Sequence, residues 1–412
     1  MLSPYRVLDL TTARGLLCGQ ILGDLGADVI QIEPPGGSSA RQLKPFYHDQ
    51  PHPDRSLYWW AYNRNKRGIT LNLAASEGRE LLRRLAATAH FLIESDTPGM
   101  LAQLGLGYEE LAALNPALIY VSISSFGQDG PKASYADSDL VVLAAGGPLI
   151  LTGDSDRAPV RISVPQAYLH ASAEAAVAAL VAHHKRQQTG QGQHVDVSAQ
   201  QAVALATQAN ILAVPLGDAE FQRMAGGVKI GPLSIRLVWP AKDGYVTVGL
   251  LFGSSLGPFT RRLIQWIYEE GACDATIRDI DWISFGGQLL KGQGVSEYER
   301  VAQVVGEFLR ARTKTELLRA ALERSLLIAP VTTVDEVIRS EHLAARQYWR
   351  PLEHTELGQT FKYPGPFAQF SRTPIAYRRR PPTVGEHNQE IYCRELGMTE
   401  ARLAELRSQG VI

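Results

Sequence analysis

The fold is decided by residues 5–32, which read YRVLDLTTARGLLCGQILGDLGADVIQI. An apolar run from Tyr5 to Leu10 is followed by a helical pattern from Leu16 to Leu25 and by a second apolar run from Asp28 to Ile32. Short apolar runs and longer helical patterns keep alternating to about residue 205. This alternation predicts parallel strands that are joined by helical crossovers, which is the α/β class.

Further elements are predicted within this first region. Glu77–Ala87 carries its leucines on one face, which predicts an amphipathic surface helix. The alanine-rich segment Ala171–His183 predicts a closely packed helix, and the polar residues 185–193 with their two glycines predict a turn after it. Buried strands are predicted at Phe91–Ile93, Leu118–Ile123 and His194–Val197.

After Gly226-Gly227 the pattern becomes that of a second domain. Two apolar runs, Leu237–Pro240 and Tyr245–Leu250, flank an Asp-Gly turn signal, which predicts an antiparallel hairpin. Helical patterns follow at Pro258–Glu269 and Tyr298–Arg324. We therefore expect a Rossmann-like large domain that begins with residues 1–205, a smaller α+β domain at 206–330, and a last segment at 331–412.

Composition excludes several classes of protein. The 412 residues include 41 basic and 42 acidic ones, and a net charge of -1 gives no field that would attract nucleic acid or a membrane surface. The three cysteines lie far apart in the sequence and lack metal-ligand spacing, which indicates reduced thiols. No apolar segment is long enough to span a bilayer. We therefore expect a cytoplasmic protein without nucleic-acid, membrane or metal partners.

Separate blocks spread along the chain carry a resemblance. They are Val7–Thr11, Leu25–Gly36, Asn63–Arg67, Glu77–Arg79, Pro98–Gly99, Leu104–Glu109, Asn115–Pro116, Ser124–Pro131, Thr189–Ser198, Pro364–Phe367 and Gly385–His387. In this order and spacing the chain resembles the family III CoA-transferases of the CaiB/BaiF type, which include formyl-CoA transferase, carnitine CoA-transferase and 2-methylacyl-CoA racemase. The resemblance implies that residues 331–412 return to the large domain and that two chains interlock like rings.

The resemblance also locates the position of the catalytic nucleophile. In this family an aspartate attacks an acyl-CoA thioester, forms a mixed anhydride, and then carries CoA as an aspartyl thioester. This chain has Tyr168 at that position, within Val164–Ala171. A phenol has a free pKa of about 10, and its aryl ester would not relay CoA as an anhydride does. Tyr168 therefore predicts no turnover at this chain's own site.

Other groups near Tyr168 are weaker candidates for a nucleophile. His170 lies two positions further on and could act as a base or acyl carrier, although a histidine at the start of a packed helix is more often structural. Glu174 would lie about 240° round a helix from position 168. Asp154 and Asp156 belong to a polar loop, where turn formation explains both.

The positions that resemble the CoA site are also altered. Basic residues normally hold the nucleotide phosphates. Where the family pattern has an asparagine, an aromatic and sometimes an arginine before Pro-Gly, this chain has Ser95, Asp96 and Thr97. Where a basic residue is usual, it has Gln103 before Leu-Gly and Ala74 after Leu-Asn-Leu. Asp96 would repel a phosphate. We therefore predict a degenerate CoA site. The remaining candidate anion contacts, for which solvated surface charge is the alternative, are Arg14, Arg41, Lys66 and Arg67.

Two further positions bear on the family comparison. In the racemase branch a His-Asp pair supplies one of the proton-transfer groups, and this chain has Ser138-Asp139 there. Together with the aspartate that is absent at position 168, both acid/base partners of that reaction are missing. Gly226-Gly227 resembles the family's flexible glycine loop, which closes over the acyl site. A simple turn is an equally good explanation of these two glycines.

The departures from the family pattern lie at the nucleophile position and the CoA-binding positions, whereas the blocks that build the scaffold are intact. This distribution predicts a subunit of a heteromeric family III CoA-transferase. A catalytic paralogous subunit would supply the aspartate, as the resemblance to the two-subunit benzylsuccinate type implies. There, succinyl-CoA donates CoA to an aromatic dicarboxylic acid, so acyl-CoA and carboxylic acid are the expected substrates of the complex, without a tightly bound cofactor. Two alternatives remain open: a self-sufficient transferase that uses His170, and a non-enzymatic regulator that binds acyl-CoA or carboxylates.

Overall fold

The computed structural model describes residues 1–216, 223–230, 233–289 and 291–412. Within it the chain divides into two compact units. The first consists of Met1–Pro148, Ile162–Gln208 and Glu341–Ile412, and the second of Leu149–Arg161 and Ala209–Ser340. Residues 149–161 thus belong to the second unit, whereas the division expected from the sequence assigns them to the first domain.

A six-stranded parallel sheet organises the first unit, with the strand order β3-β2-β1-β4-β5-β6. Nearly every residue of these strands except those of β6 is buried, as is typical of a parallel sheet that is covered on both faces. The predicted α/β class is confirmed. The strands are β1 (Arg6–Asp9), β2 (Asp28–Glu33), β3 (Lys66–Thr70), β4 (Phe91–Glu94), β5 (Ile119–Ser124) and β6 (His194–Ser198).

Helices connect these strands. The main ones before the second unit are α1 (Leu16–Asp24), α2 (Leu57–Tyr62), α3 (Ser76–Ala86), α4 (Met100–Gln103), α5 (Tyr108–Leu114), α6 (Asp139–Ala145), α7 (Ala167–Thr189) and α8 (Ala199–Ala204). The turn predicted from residue 185 is wrong over its first part, because α7 continues to Thr189 and ends at Gly190, whose φ is +73°. Lysine, arginine and glutamine are good helix formers, so nothing before Gly190 stops the helix.

The second unit has its own apolar core around a three-stranded antiparallel sheet of order β11-β10-β9. The predicted hairpin is confirmed: β9 (Val238–Ala241) pairs with β10 (Gly244–Val248) across Lys242-Asp243. The other strands are β7 (Gly227–Ile230), β8 (Leu233–Arg236) and β11 (Ile328–Pro330). The helices from residue 208 to 338 are α9 (Gln208–Ala213), α10 (Gly253–Glu269), α11 (Ala275–Arg278), α12 (Phe285–Leu289), α13 (Val295–Arg310), α14 (Lys314–Arg324) and α15 (Val334–Ile338).

The helical pattern predicted at Tyr298–Arg324 is two helices, α13 and α14, instead of one. Thr313 separates them, because its side chain accepts a hydrogen bond from the Glu316 N–H while the Glu316 carboxylate accepts one from the Thr313 N–H. This capping box starts a new helix at Lys314. The capping signal was present in the sequence and was hidden by the continuous apolar periodicity.

Residues Glu341–Ile412 complete the first unit. They form α16 (Glu341–Ala345), the antiparallel pair β12 (Arg350–His354) and β13 (Gln359–Tyr363), a π-helical turn at Gln389–Glu395, and α17 (Glu400–Ser408). None of the helices in the described ranges combines the length and apolar character needed to cross a bilayer. The same residues contain no cluster of three or more side chains suited to hold a metal ion.

Candidate functional site

Tyr168 lies in the first turn of α7, which an aspartate of α6 holds in place. The Asp139 carboxylate accepts hydrogen bonds from the backbone N–H groups of Gln166 at 2.7 Å and Ala167 at 2.8 Å. The Ser138 hydroxyl caps α6 by accepting from Val141 N. Ser138 and Asp139 are therefore both engaged in helix capping in this chain.

The Tyr168 hydroxyl belongs to a network of polar side chains. It lies 2.8 Å from Ser125 Oγ, and Ser125 in turn donates to Asp137 Oδ2. Arg14 Nη2 donates to Asp137 Oδ1 at 2.8 Å, and its guanidinium carbon lies 5.9 Å from the centre of the Tyr168 ring. We call these four side chains the Tyr168 network.

Burial within this network keeps Tyr168 protonated. Only 9% of the residue is exposed, and burial, reinforced by Asp137, raises the pKa of its hydroxyl to about 12. The hydrogen bond with Ser125 and the charge of Arg14 oppose this rise. At pH 7 a phenol with that pKa is ionised in only about one molecule in 10⁵. Tyr168 is thus an even poorer nucleophile here than tyrosine in water.

A cavity of about 330 Å³ lies beside this network at the carboxyl ends of β1, β4 and β5. Ligands of open parallel sheets bind at this edge. The polar residues that line the cavity are Arg14, Asp96, Thr97, Ser124, Ser125, Ser134, Tyr135 and Asp137.

The charges of this cavity are unfavourable for a nucleotide. Asp137 is paired with Arg14, and in the part of the chain that the structure describes no hydrogen bond reaches the Asp96 carboxylate. Burial raises the pKa of Asp96, and only the charge of Arg14 opposes the rise. A phosphate that entered this cavity would meet a carboxylate and one arginine that is already paired.

The other positions of the predicted degenerate CoA site do not all lie at this cavity. Thr97 lines the cavity, and Gln103 is exposed at the end of α4. Ser95 is 1% exposed, and its hydroxyl accepts a hydrogen bond from Thr12 N at 2.9 Å, so it joins β4 to the segment after β1. At the Ala74 position, the backbone carbonyl accepts a hydrogen bond from the Arg79 guanidinium at 2.8 Å. Ser95 therefore has a structural role.

Arg41 does not fit the expectation of an anion contact. Its side chain is fully buried, and all five of its N–H donors have acceptors: both Glu33 carboxylate oxygens, Asp54, and the carbonyls of Pro53 and Pro382. Its guanidinium carbon also lies 3.8 Å from the centre of the Trp59 ring. The prediction for Arg41 is corrected, because burial and pairing commit the whole guanidinium to the core.

The predictions that Lys66 and Arg67 contact an anion are corrected for the same reason, because both side chains are buried and paired. Lys66 is fully buried and donates to Asp9 Oδ2, the Leu16 carbonyl and Gln31 Oε1 at 2.8–2.9 Å. The Arg67 side chain is 6% exposed and is paired with the carboxylates of Asp28, Glu390 and Glu395. Of the four candidate anion contacts, only Arg14 lines the cavity beside Tyr168.

The candidate replacement nucleophiles point away from this cavity's network. His170 and Glu174 are exposed on α7, and in the described residues neither side chain takes part in a hydrogen bond with the Tyr168 network. Asp154 belongs to the second unit and accepts from Ala225 N at 2.9 Å, and Asp156 pairs with Arg157. These contacts agree with the turn-forming role considered for both aspartates.

Gly226 and Gly227 start the β7–β8 hairpin of the second unit. Gly226 has a φ of +64°, and its carbonyl accepts from Leu237 N and Val238 N at 2.7 and 2.8 Å. A Cβ on Gly227 would lie 2.4 Å from the Ile235 carbonyl oxygen. Both positions therefore require glycine for local reasons. A role as a closing loop stays a prediction.

Sequence reasoning missed three side chains of this edge: Ser125, Asp137 and Glu94. Ser125 follows a predicted strand within a family block, so its position was a usable signal. Asp137 lies in a loop and is brought to Ser125 only by the fold. Glu94 ends β4, is 5% exposed, and accepts from Asp96 N at 2.7 Å.

Glu94 makes the stability of the chain depend on pH. Burial, together with the charges of Asp96 and Asp196, raises the pKa of Glu94 from 4.5 to about 7, against hydrogen bonds from Ser122 and Asp96 N. Between these two pKa values the folded state binds more protons than the unfolded state, so stability falls as pH rises. We expect Glu94 to contribute a loss of about 3 kcal/mol between pH 4.5 and 7.

Urea unfolding from pH 5 to 8 would measure this effect. Glu94→Gln, which mimics the protonated acid, should flatten this part of the pH profile. Glu80→Gln on the exposed face of α3 is the matched control and should leave the profile of the native chain unchanged. An unaltered slope in Glu94→Gln would show that other groups cause it.

The parallel sheet with a cavity beside the amino end of α7 defines an α/β protein of the ligand-binding kind, and the comparisons give its family. The model of CoA-transferase family III matches residues 2–388, so the chain belongs to that family, whose members use CoA thioesters as substrates. The resemblance drawn from the sequence blocks is confirmed.

Individual relatives match the chain over its full length. It is 33% identical over 414 residues to the succinyl-CoA:(R)-benzylsuccinate CoA-transferase subunit BbsE of Thauera aromatica, covering 100% of this chain and 98% of that protein. It is 32% identical over 416 residues to the succinyl-CoA–D-citramalate CoA-transferase of Chloroflexus aurantiacus, covering 100% and 98%. The crystal structure of a CaiB/BaiF family protein from Brucella suis is similar with a TM-score of 0.80 and 27% identity, over 95% of this chain and 98% of that one.

Proposed function

We propose that this chain is a subunit of a heteromeric family III CoA-transferase, and that a paralogous subunit supplies the catalytic aspartate. The observation that carries the proposal is the buried Tyr168 at the position that resembles the nucleophile's, with its hydroxyl 2.8 Å from Ser125, which in turn donates to Asp137. The chain would support the partner's site instead of turning over substrate at its own.

The chemistry of the reaction explains why a phenol is no substitute. A carboxylate that attacks the thioester carbonyl expels CoA thiolate and becomes a mixed anhydride; the thiolate then attacks the enzyme's acyl carbon and expels the first acid. Tyrosine has no acyl carbon of its own. An ester on its oxygen could only return the acyl group, so CoA could not be stored on the enzyme and passed to a second acid.

The cavity beside Tyr168 supports the same proposal independently. Its lining contains Asp96, whose carboxylate takes part in no hydrogen bond in the described ranges, and Arg14 is engaged by Asp137. Phosphate recognition relies on basic groups that are free to donate. We infer that the CoA molecule of each catalytic cycle binds to the partner subunit.

Two exposed valines on α7 are candidates for an assembly interface. Val177 and Val181 lie one turn apart on α7 and are 58% and 64% exposed. Apolar residues of this size on a contiguous helix face mark interaction surfaces when they cluster. One full-length relative is also named as a subunit. We propose succinyl-CoA as the CoA donor because both relatives described above carry it in their names.

The proposal is tested by expressing the chain alone and together with a paralogue that has aspartate at the position matching Tyr168. We expect co-purification, CoA exchange between succinyl-CoA and benzylsuccinate by the complex, and no exchange by the isolated chain. Replacing the paralogue's aspartate with asparagine should abolish exchange. Rapid exchange by the homogeneous isolated chain would refute the proposal, and calorimetric binding of CoA esters to it would favour a regulator.

Tyr168→Phe provides a sharper test within the complex. The change removes one hydrogen bond and keeps the ring, so we expect a loss of about 1 kcal/mol in unfolding free energy and CoA exchange within about twofold of the unchanged complex. His170→Ala should also leave exchange unchanged. A large fall in exchange for either variant, with the complex intact by gel filtration, would assign chemistry to this chain.

A further inference from the structure

A second cavity lies at the opposite edge of the parallel sheet, where the strands begin. Its volume is about 440 Å³, and it is lined by residues that precede β1, β2 and β3 and by residues of the C-terminal segment. Its charged lining residues are Asp28, Arg67, Arg378 and Arg379, which is a formal sum of three positive charges and one negative charge. The cavity beside Tyr168 shares none of these residues.

Two of these charges cancel locally. Both oxygens of the Asp28 carboxylate accept from the Arg67 guanidinium, at 2.9 and 2.6 Å, and one also accepts from Arg6. Arg67 is paired in addition with Glu390 and Glu395. Neither Asp28 nor Arg67 therefore adds much net field to the cavity.

The other two arginines are not paired with any acid in the described ranges. Arg378 donates to the backbone carbonyls of Gly23, Gly26 and Ala27 at 2.7–3.3 Å, which are neutral acceptors. No side-chain hydrogen bond or ion pair of Arg379 lies within the same ranges, and Arg379 is exposed. Arg379 thus keeps its guanidinium donors free at the cavity, whereas Arg378 keeps its positive charge but already uses its Nη groups on these carbonyls.

The backbone of this pair is firmly held. Asn65 Oδ1 accepts from the N–H groups of Arg378 and Arg379 at 2.7 and 3.3 Å. Asn65 Nδ2 donates to Asp24 Oδ1 at 2.7 Å. A fixed backbone lowers the entropy cost of placing two guanidinium groups around a ligand.

We propose that this cavity binds an oxyanion, either as a phosphate group or as a carboxylate of a small molecule. Guanidinium groups offer paired N–H donors that match both kinds of oxyanion, and Arg378 and Arg379 are the groups whose charge is not already neutralised. The site is independent of the Tyr168 network and does not rest on the proposed subunit role.

The test is thermal stability of the full chain, or of its complex, with phosphate, pyrophosphate or succinate at constant ionic strength. We expect at least one of these anions to raise the midpoint of unfolding in a saturable manner. Arg379→Gln, an exposed substitution, should weaken the apparent affinity about tenfold or more, because a charged hydrogen-bond donor is lost. The anion that acts shows whether phosphate or carboxylate is recognised.

Arg372→Gln is the matched control, since Arg372 is an exposed arginine of the same segment that does not line the cavity. It should respond to the anion like the unchanged chain. The proposal is wrong if none of the three anions stabilises the protein, or if Arg379→Gln and Arg372→Gln respond equally. Circular dichroism of both variants confirms that they are folded.

Discussion

Replacing Lys66 with methionine should lower the free energy of unfolding by about 3–5 kcal/mol. The Lys66 ammonium and the Asp9 carboxylate are both fully buried, 2.8 Å apart, and they link the edge strand β3 to β1. Methionine would fill the space but leave Asp9 as a buried charge, with the Thr11 hydroxyl and N–H as its remaining donors. A Cβ on Gly19 would lie 1.9 Å from Asp9 Oδ2, so the helix above leaves no room for solvent to replace the lysine.

Urea denaturation measures this loss, with Lys185→Met on the exposed face of α7 as the matched control. The control should stay within about 0.5 kcal/mol of the unchanged chain. Adding Asp9→Asn to Lys66→Met should recover part of the loss, because the orphan charge is then removed. A loss below about 1 kcal/mol for Lys66→Met would contradict the prediction, because it would show that the Asp9 carboxylate does not need Lys66 as a partner.

Restoring the family's carboxylate with Tyr168→Asp should not restore activity, and it should destabilise the chain by about 3–5 kcal/mol. The smaller side chain would leave a void where the buried ring lies. It would also bring a second carboxylate towards Asp137, which already accepts from Ser125 and Arg14. Asp96 would still repel the phosphates of CoA.

The measurement is CoA exchange by the isolated Tyr168→Asp chain together with its urea denaturation curve. Tyr168→Phe serves as the control, because it keeps the ring and adds no charge. Measurable CoA exchange by the Asp variant would contradict the prediction and show that the cavity still binds CoA. A stability equal to that of Tyr168→Phe would contradict the predicted cost of the buried carboxylate.

Much of the candidate site was accessible from the sequence, but the roles of its members were not. The resemblance pointed to positions 168 and 96, and the fold brings them near each other: Asp96 lines the cavity, and Tyr168 contacts Ser125 of its lining. Arg14 and Arg41 looked equivalent in the sequence. Only one of them lines the cavity, whereas the other is surrounded by Glu33, Asp54 and Trp59.

The residues alone determined the α/β alternation and membership of the family, and they pointed to Tyr168 as the residue that we propose stands at the nucleophile position. These properties depend on local periodicity and on the order of short blocks, both of which are written along the chain. Tertiary structure alone decided which polar side chains pair with each other. Lys66 contacts Asp9 across 57 residues of sequence, and Tyr168 contacts Ser125 across 43. Such contacts depend on how distant strands and helices pack, and burial then sets whether a group is charged, paired or free to act.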